Sequence, residues 1–125
     1  MVDNSTLTVK IDGEDRDLFM SYGLLTALSK KLPTADAVGA IPHDPELRDV
    51  TLLVALAERS KTGKITKALD SIEDIDISME DVERVLDWVM EHLTGFFVRG
   101  LEKSKKVLDA QAKLETLFSE NGSQA

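Results

Sequence analysis

The fold is decided by residues 78–118, SMEDVERVLDWVMEHLTGFFVRGLEKSKKVLDAQAKLETLF. In the first half of this stretch, apolar residues recur at steps of three and four, the spacing of one stripe on an amphipathic helix. Ser78 is a predicted N-cap, and Asp81, at the third helical position, completes a capping-box-like pair with it. The predicted stripe consists of Val82, Val85, Leu86, Val89, Leu93 and Phe96 or Phe97.

The second half continues the helical spacing on a more polar segment. Gly95 and Gly100 bracket Phe96-Phe97, and each glycine costs about 1 kcal/mol of helix stability relative to alanine. The glycines either kink the helix or let another backbone approach it closely. The apolar positions beyond them are too few for a core helix, so we predict a helix that pairs with another segment, in this chain or a second one. These positions are Leu101, Val107, Leu108, Leu114, Leu117 and Phe118.

The N-terminal residues have the pattern of a β-hairpin. In residues 6–11, TLTVKI, apolar and polar residues alternate, as they do in a half-buried strand. Asp12-Gly13 favours a tight turn because both residues tolerate positive φ, and a second strand is predicted from about Arg16 to Met20. A two-stranded hairpin is marginal by itself, so this one is expected to pack on the helices.

Capping residues predict two helices in the middle of the chain. Residues 21–32 form a predicted helix with Ser21 as its N-cap, and Pro33 marks its end. Asp44-Pro45 supplies an N-cap and a first helical residue for the second helix, which is predicted to run through residue 60. Because this second helix is apolar on much of its circumference, it is expected to be central.

The segments around these helices are predicted from turn residues. Residues 33–43 are a predicted loop, since they contain two prolines, a glycine and small residues. Gly63 is a candidate C-cap for the second helix. Residues 65–77 are predicted as a short helical turn through Leu69, followed by extended chain that leads into Ser78.

Together these elements predict a mainly α fold in a single domain, residues 1–125. It would consist of a β-hairpin at 6–20, a helical body at 21–100, and a C-terminal helix with a frayed tail at 101–125. A chain of this length can bury a core without disulfides or metals, and it contains no cysteine. No apolar run is long enough to cross a membrane, and the N-terminus lacks the segments of a signal peptide. We therefore expect a soluble intracellular protein.

The net charge of −8 argues against nucleic acid as the main partner, because phosphates would be repelled. The charge is unevenly distributed. Residues 70–91 are strongly acidic and contain Arg84 as their only Lys or Arg, whereas residues 99–113 are net basic. This pattern indicates either two solvated helix faces of opposite sign, or a basic segment that attracts an acidic partner or the acidic part of another copy.

Motifs for metal or nucleotide chemistry are incomplete. His43-Asp44 resembles part of a metal site, but Asp44 is better explained as a helix cap with His43 exposed. Asp74, Asp76 and Ser78 match the start of a calcium loop, which then lacks its glycine and its terminal glutamate. Gly63-Lys64 lacks the remaining residues of a phosphate-binding loop. We therefore predict a protein that is not an enzyme, with no catalytic, cofactor or metal site.

A protein-binding surface is better supported by the residue types. Trp88, Phe96, Phe97 and Phe118 are of kinds enriched at the centres of interfaces, although burial tendencies favour a core position for the first three. The apolar spacing on helices that otherwise carry much charge leads us to predict partner contacts. The predicted contact residues are Phe96, Phe97, Leu101, Leu114, Leu117 and Phe118.

The layout resembles the tail assembly chaperones of long-tailed bacteriophages. The resemblance covers roughly residues 6–103: a hairpin (TLTVKIDGEDRDLFM), then SYGLLTALSKKL, a helical middle and DISMEDVERVLDWVMEHLTGFF. It implies a helical protein of the host cytoplasm that holds the tape measure protein while tail tube subunits polymerise, and that is absent from the finished virion. It also implies a longer form made by ribosomal frameshifting near the end of the gene. Head-to-tail self-association would suit that role.

Two hypotheses from other classes stay open at this point. The first is an acidic adaptor or regulator that binds a basic host or phage protein, and strong salt dependence of the complex would favour it. The second is a small metal-dependent hydrolase that uses His43 and Asp44, and metal in the purified protein would favour it.

Overall fold

The structure is a computed structural model that describes residues 4–123, with side chains up to Phe118. The fold is mainly α, with a two-stranded hairpin at the N-terminus and a long helix at the C-terminus, as predicted. The described residues form two compact units that divide between Thr94 and Gly95. We call the first unit the body and the second the tail. The sequence predicted the boundary between the helical body and the C-terminal helix at residues 100 and 101, six residues further along the chain than this division.

The hairpin consists of β1 (Thr6–Ile11) and β2 (Glu14–Phe19), so the second strand begins two residues before the prediction. Asp12 and Gly13 have φ values of 55° and 82°, which confirms the predicted tight turn. The antiparallel register pairs Leu7 with Leu18 and Ile11 with Glu14. One face of the hairpin buries Val9, Ile11 and Leu18 in the body, so the hairpin packs on the rest of the fold as expected.

Helix α1 (Tyr22–Lys31) is the predicted first helix. The Leu24 N–H donates to Ser21 Oγ at 3.1 Å, which confirms the N-cap. Leu24 and Leu28 are buried. The segment that follows was predicted as a loop, and this prediction is wrong.

Residues 35–40 form a short helix, α2 (Ala35–Ala40). Thr34 Oγ1 accepts from the Ala37 N–H at 3.1 Å and caps the helix. Val38 and Ile41 are buried. Small residues and Gly39 indicated a loop, but the cap and the burial of these two apolar side chains outweigh the weak helix propensity of the segment.

Helix α3 (Pro45–Leu56) begins as predicted, because Asp44 Oδ1 accepts from the Glu46 and Leu47 N–H groups. It ends four residues before the prediction. Glu58–Arg59 is a short strand, β3, that pairs antiparallel with β4 (Ile65–Lys67). The predicted helical turn through Leu69 is therefore wrong.

Gly63 lies in the loop of this small hairpin, with a φ of 99°, and is not a helix C-cap. It packs directly on the start of α1. A Cβ atom at Gly63 would lie 2.4 Å from Ser21 Oγ and 2.8 Å from the Gly23 Cα. This close backbone approach fixes the small hairpin to α1, and only glycine fits there.

A single 3₁₀ turn (Ile72–Asp74) precedes the last helix. Extended chain follows, as predicted, and Ile77 forms a β-bridge with Ile11. The Asp12 N–H donates to the Asp76 carbonyl at 2.9 Å, and the Asp76 N–H donates to Asp12 Oδ1 at 2.8 Å. These reciprocal bonds join the hairpin turn to the segment that enters the last helix.

The last helix, α4, spans Met79–Ser123. Ser78 Oγ accepts from the Asp81 N–H at 3.1 Å and caps it, as predicted. The Asp81 carboxylate has a different role from the one expected in a capping box. Its Oδ2 accepts from the Lys10 N–H at 3.0 Å, and its Oδ1 pairs with Arg84 at 2.9 Å. The carboxylate therefore ties strand β1 to the start of α4.

We expect Asp81 to contribute to the pH dependence of stability. The hydrogen bond from the Lys10 N–H, followed by the contact with Arg84, lowers the Asp81 pKa below its ordinary value of 3.8. A lowered pKa adds stability above the unfolded-state pKa, and this stability is lost as the pH falls through the folded-state pKa. Asp81→Asn should therefore flatten the fall in urea midpoint between about pH 5 and pH 3. Asp87→Asn, which removes the same charge at an exposed position of the same helix, is the control, and an equal change in both variants would contradict the role of Asp81.

The core of the body lies where the hairpin, α1, α3 and the first turns of α4 meet. Trp88 is 6% exposed, which confirms its core position. Its Nε1–H donates to the Asn4 carbonyl at 2.6 Å, and His92 Nε2 lies 2.7 Å from the same oxygen. The least exposed apolar side chains of the core are Val9, Leu24, Leu28, Leu32, Ile41, Leu56, Val85, Val89 and Leu93.

In the tail, α4 continues through Gly95 and Gly100. The frayed end predicted at 121–125 is helical as far as Ser123, and residues 124 and 125 lie outside the described residues. No helix in the described part of the chain is long and apolar enough to cross a membrane.

Candidate protein-interaction site

The six predicted contact residues all lie on α4, within the tail. Five of them are exposed: Phe118 and Leu101 are 71% and 72% exposed, and Leu114 and Leu117 are also more than half exposed. Phe96 is exposed less, and Phe97 is half-buried. The core position that burial tendencies favoured for Phe96 is therefore wrong.

Every residue from 101 to 118 is exposed. A helix in a folded protein normally buries one apolar stripe against another element, and helices without such packing are marginal in water. Here the apolar side chains of residues 101–118 are exposed in the described part of the chain. They include Val107 and Leu108, which the sequence placed in the same helical pattern.

Helical spacing brings these apolar side chains close to one another. Residues three or four positions apart are neighbours on a helix surface, so Leu114 lies beside Leu117 and Phe118. A step of seven also returns to nearly the same side of a helix, which relates Leu101 to Leu108. We call these neighbouring exposed apolar side chains together the apolar face of the tail.

The aromatic pair begins this face. The Phe96 and Phe97 rings lie with their centroids 5.8 Å apart and their planes at 58°, within the range of favourable aromatic contacts. The two rings form a compact apolar patch at the start of the tail.

The sequence left open that the two glycines let another backbone approach closely, and no described residue is such a partner. A Cβ at Gly100 would meet no described atom within 4 Å, apart from its own helix. A Cβ at Gly95 would meet the end of the Arg99 side chain at 3.2 Å. No described backbone approaches either glycine, so packing among the described residues requires glycine at neither position.

We expect Gly100→Ala to raise the helicity of the tail. The substitution should stabilise the helix by about 1 kcal/mol, because alanine has the better propensity and the site is open. Secondary chemical shifts of residues 95–118 measure the gain. If a partner packs against the bare backbone at Gly100, the same variant should bind that partner more weakly.

Charge distinguishes the two units. Residues 1–94 carry ten Lys and Arg against 19 Asp and Glu, a net charge of −9. Residues 95–118 carry five Lys and Arg against three Asp and Glu, a net charge of +2. The apolar face of the tail is therefore flanked by a modest excess of cations, which include Lys105 and Lys106.

The described structure brings together few side chains that could bind a metal or take part in catalysis. Asp44 is occupied as a helix cap and His43 is exposed, as predicted. Among the side chains that the structure describes, residues 4–118, no group of three or more His, Asp or Glu is placed to hold a metal ion. In the body, burial lowers the pKa of the Arg59 guanidinium. This group donates to the Gly63 and Val54 carbonyls, at 2.7 and 3.3 Å, so it braces the small hairpin against α3.

A second apolar surface in the body was missed by sequence reasoning. It is a groove between α1, the end of α3 and β4, with Tyr22, Ala27, Leu53, Val54 and Ile65 among its lining residues. Tyr22 is 81% exposed and Ile65 is 49% exposed. The groove exists because β4 folds back beside the helices, where the sequence predicted a short helical turn through Leu69.

Comparison of the chain with protein-family models, curated proteins and solved structures finds no match.

Proposed function

We propose that this chain is a non-catalytic tail assembly chaperone of a long-tailed bacteriophage. In this role it binds the tape measure protein and assists polymerisation of the tail tube around it. It acts in the cytoplasm of the infected host and is absent from the mature virion. It uses no cofactor and binds neither nucleic acid nor membrane.

One observation carries the protein-binding part of this proposal: the apolar side chains of residues 101–118 are exposed in the described structure. Burying one Leu or Phe side chain is worth roughly 1.5–3 kcal/mol, so a partner that covers several of them gains substantial affinity. Large exposed apolar patches on a protein are typical of interaction sites. An amphipathic helix is a common binding element for another helix or a hydrophobic groove.

A chaperone of this kind needs reversible contacts, and the tail suits reversibility. Its cations and carboxylates keep the free helix hydrated, while its apolar residues supply the contact. The predicted contact residues Phe96, Phe97, Leu101, Leu114, Leu117 and Phe118 would meet the tape measure protein or a second copy.

Opposite charges on body and tail support self-association as part of the proposal. The tail of one copy would be attracted to the acidic surface of the next, and this head-to-tail contact can repeat without closing. Repeated copies could then cover a long partner. Such attraction between exposed charges weakens as salt is added.

A second candidate function is an acidic adaptor that binds a basic host or phage protein. The net charge of −9 on residues 1–94 favours it. In that case the body, and not the apolar face of the tail, would supply the contact. The two functions differ in their response to salt: a complex held by the body charges should lose most of its affinity between low and high salt, whereas an apolar contact should keep most of it.

An expression experiment tests the chaperone proposal. The gene is expressed with its native downstream sequence and an N-terminal tag, and products are detected by immunoblot. The proposal predicts a minor, longer product with the same N-terminus, identified by mass spectrometry across the junction. A single product of this length would remove that support and place the acidic adaptor on equal terms.

A further inference from the structure

The groove in the body has the dimensions of a helix-binding site. One wall is the surface of α1 from Tyr22 to Lys31, and the other is the end of α3 at Leu53 and Val54. A helix rises 1.5 Å per residue, so the α1 wall is about 14 Å long. This length accommodates between two and three turns of a partner helix. Two helices that form a groove are a common receptor for a third amphipathic helix.

The charge of the groove is opposite to that of the body around it. Its charged lining residues are Lys30, Lys31 and Arg59, and no described Asp or Glu lines it. Lys30 and Lys31 are exposed and belong to the last turn of α1. The body has a net charge of −9, but the charged residues that line the groove in the described structure are all cations. Charge complementarity therefore favours an acidic ligand there.

We propose that this groove binds an acidic amphipathic helix of a partner protein. The apolar side chains of the partner helix pack on Leu53, Val54 and Ile65, and its carboxylates face Lys30 and Lys31. The site is separate from the tail surface and does not depend on the chaperone proposal.

Charge also decides against the tail of a second copy as the occupant. Residues 95–118 have a net charge of +2, so their cations would meet Lys30 and Lys31. Like charges brought together at an interface are unfavourable and suppress wrong partners. The groove and the tail thus bind different ligands.

Peptide selection tests the proposal. The full-length protein is immobilised, and a displayed library of random 16-residue peptides is selected for binding. We expect the enriched peptides to be net acidic, with apolar residues at steps of three and four. Their affinity should fall at least tenfold for Lys30→Glu/Lys31→Glu, because the charge complementarity is reversed.

The control variant is Lys105→Glu/Lys106→Glu, which changes the net charge equally but lies in the tail. It should bind the selected peptides as the unaltered protein does. Since all four lysines are exposed, both variants are expected to fold, and Trp88 fluorescence checks this. The proposal is overturned if no acidic amphipathic peptide is enriched, or if the enriched peptides bind Lys30→Glu/Lys31→Glu unchanged.

Discussion

Gly63→Ala is expected to destabilise the body by about 3 kcal/mol or more, among the largest single effects in the chain. The new Cβ would lie 2.4 Å from Ser21 Oγ and 2.8 Å from the Gly23 Cα. The Gly23 contact is with backbone and cannot be relieved by a rotamer change. Alanine at a φ of 99° is strained as well. Displacement of Ser21 would also weaken the N-cap of α1.

Urea unfolding followed by Trp88 fluorescence measures this effect, since Trp88 is the only tryptophan and is buried. Two alanine variants separate the causes. Gly13 has a positive φ, but the space around an added Cβ is open. Gly13→Ala should therefore lower the free energy of unfolding by about 1 kcal/mol. Gly39 lies in helix α2, and the space around an added Cβ is open. Gly39→Ala should therefore leave the stability unchanged or raise it. If Gly63→Ala unfolds at the same urea concentration as Gly13→Ala, the close packing of Gly63 on α1 is wrong.

Leu114→Ser/Leu117→Ser is expected to weaken self-association and partner binding by at least a hundredfold. Truncation of apolar residues at the centre of an interface costs roughly 2 kcal/mol each, and 1.4 kcal/mol corresponds to a factor of ten. Both leucines are exposed, so urea unfolding of the body should change by less than about 0.5 kcal/mol. Sedimentation velocity over a range of protein concentrations measures the self-association.

Glu102→Ser/Lys106→Ser is the matched control for this variant. It also places two serines at exposed tail positions and keeps the net charge, so it reproduces the loss of helix propensity without removing apolar surface. It should associate like the unaltered protein, apart from a small salt-dependent difference. Equal association of Leu114→Ser/Leu117→Ser and this control would exclude the tail leucines as contacts.

Helix-capping residues and tight-turn residues predicted the fold well. Ser21, Asp44 and Ser78 are helix caps in the structure, and Asp12-Gly13 forms the expected turn. As caps and turn residues, they act through hydrogen bonds or backbone angles within a few positions of themselves. Such signals can be read from the sequence because they do not depend on distant parts of the chain.

The errors lie where distant contacts decide the structure. Residues 35–40 are helical with weak propensity because Val38 is buried. The pairing of Glu58–Arg59 with Ile65–Lys67 is accompanied by a close approach of Gly63 to Gly23, 40 residues away in the chain. The Asp81 carboxylate likewise accepts from the Lys10 N–H, 71 residues away in the chain, besides pairing with Arg84 of its own helix. Sequence spacing alone does not show such contacts.

The two candidate binding surfaces differ in the same way: one could be predicted from the sequence and the other could not. The tail surface could be predicted, because its apolar positions recur at helical steps of three, four and seven between Phe96 and Phe118. The groove could not be predicted, because Tyr22, Leu53 and Ile65 come from three different elements. One of these elements, β4, is only three residues long, which is too short to show the alternating pattern of a strand.

Co-purification with the tape measure protein tests the central claim most directly. The tape measure protein from the same genome is co-expressed with the tagged chain, and the complex is isolated at moderate salt. We predict a stable complex that is lost for Leu114→Ser/Leu117→Ser and retained for Lys30→Glu/Lys31→Glu. Failure of the unaltered chain to retain the tape measure protein, or a complex that survives the loss of both leucines, would contradict the account.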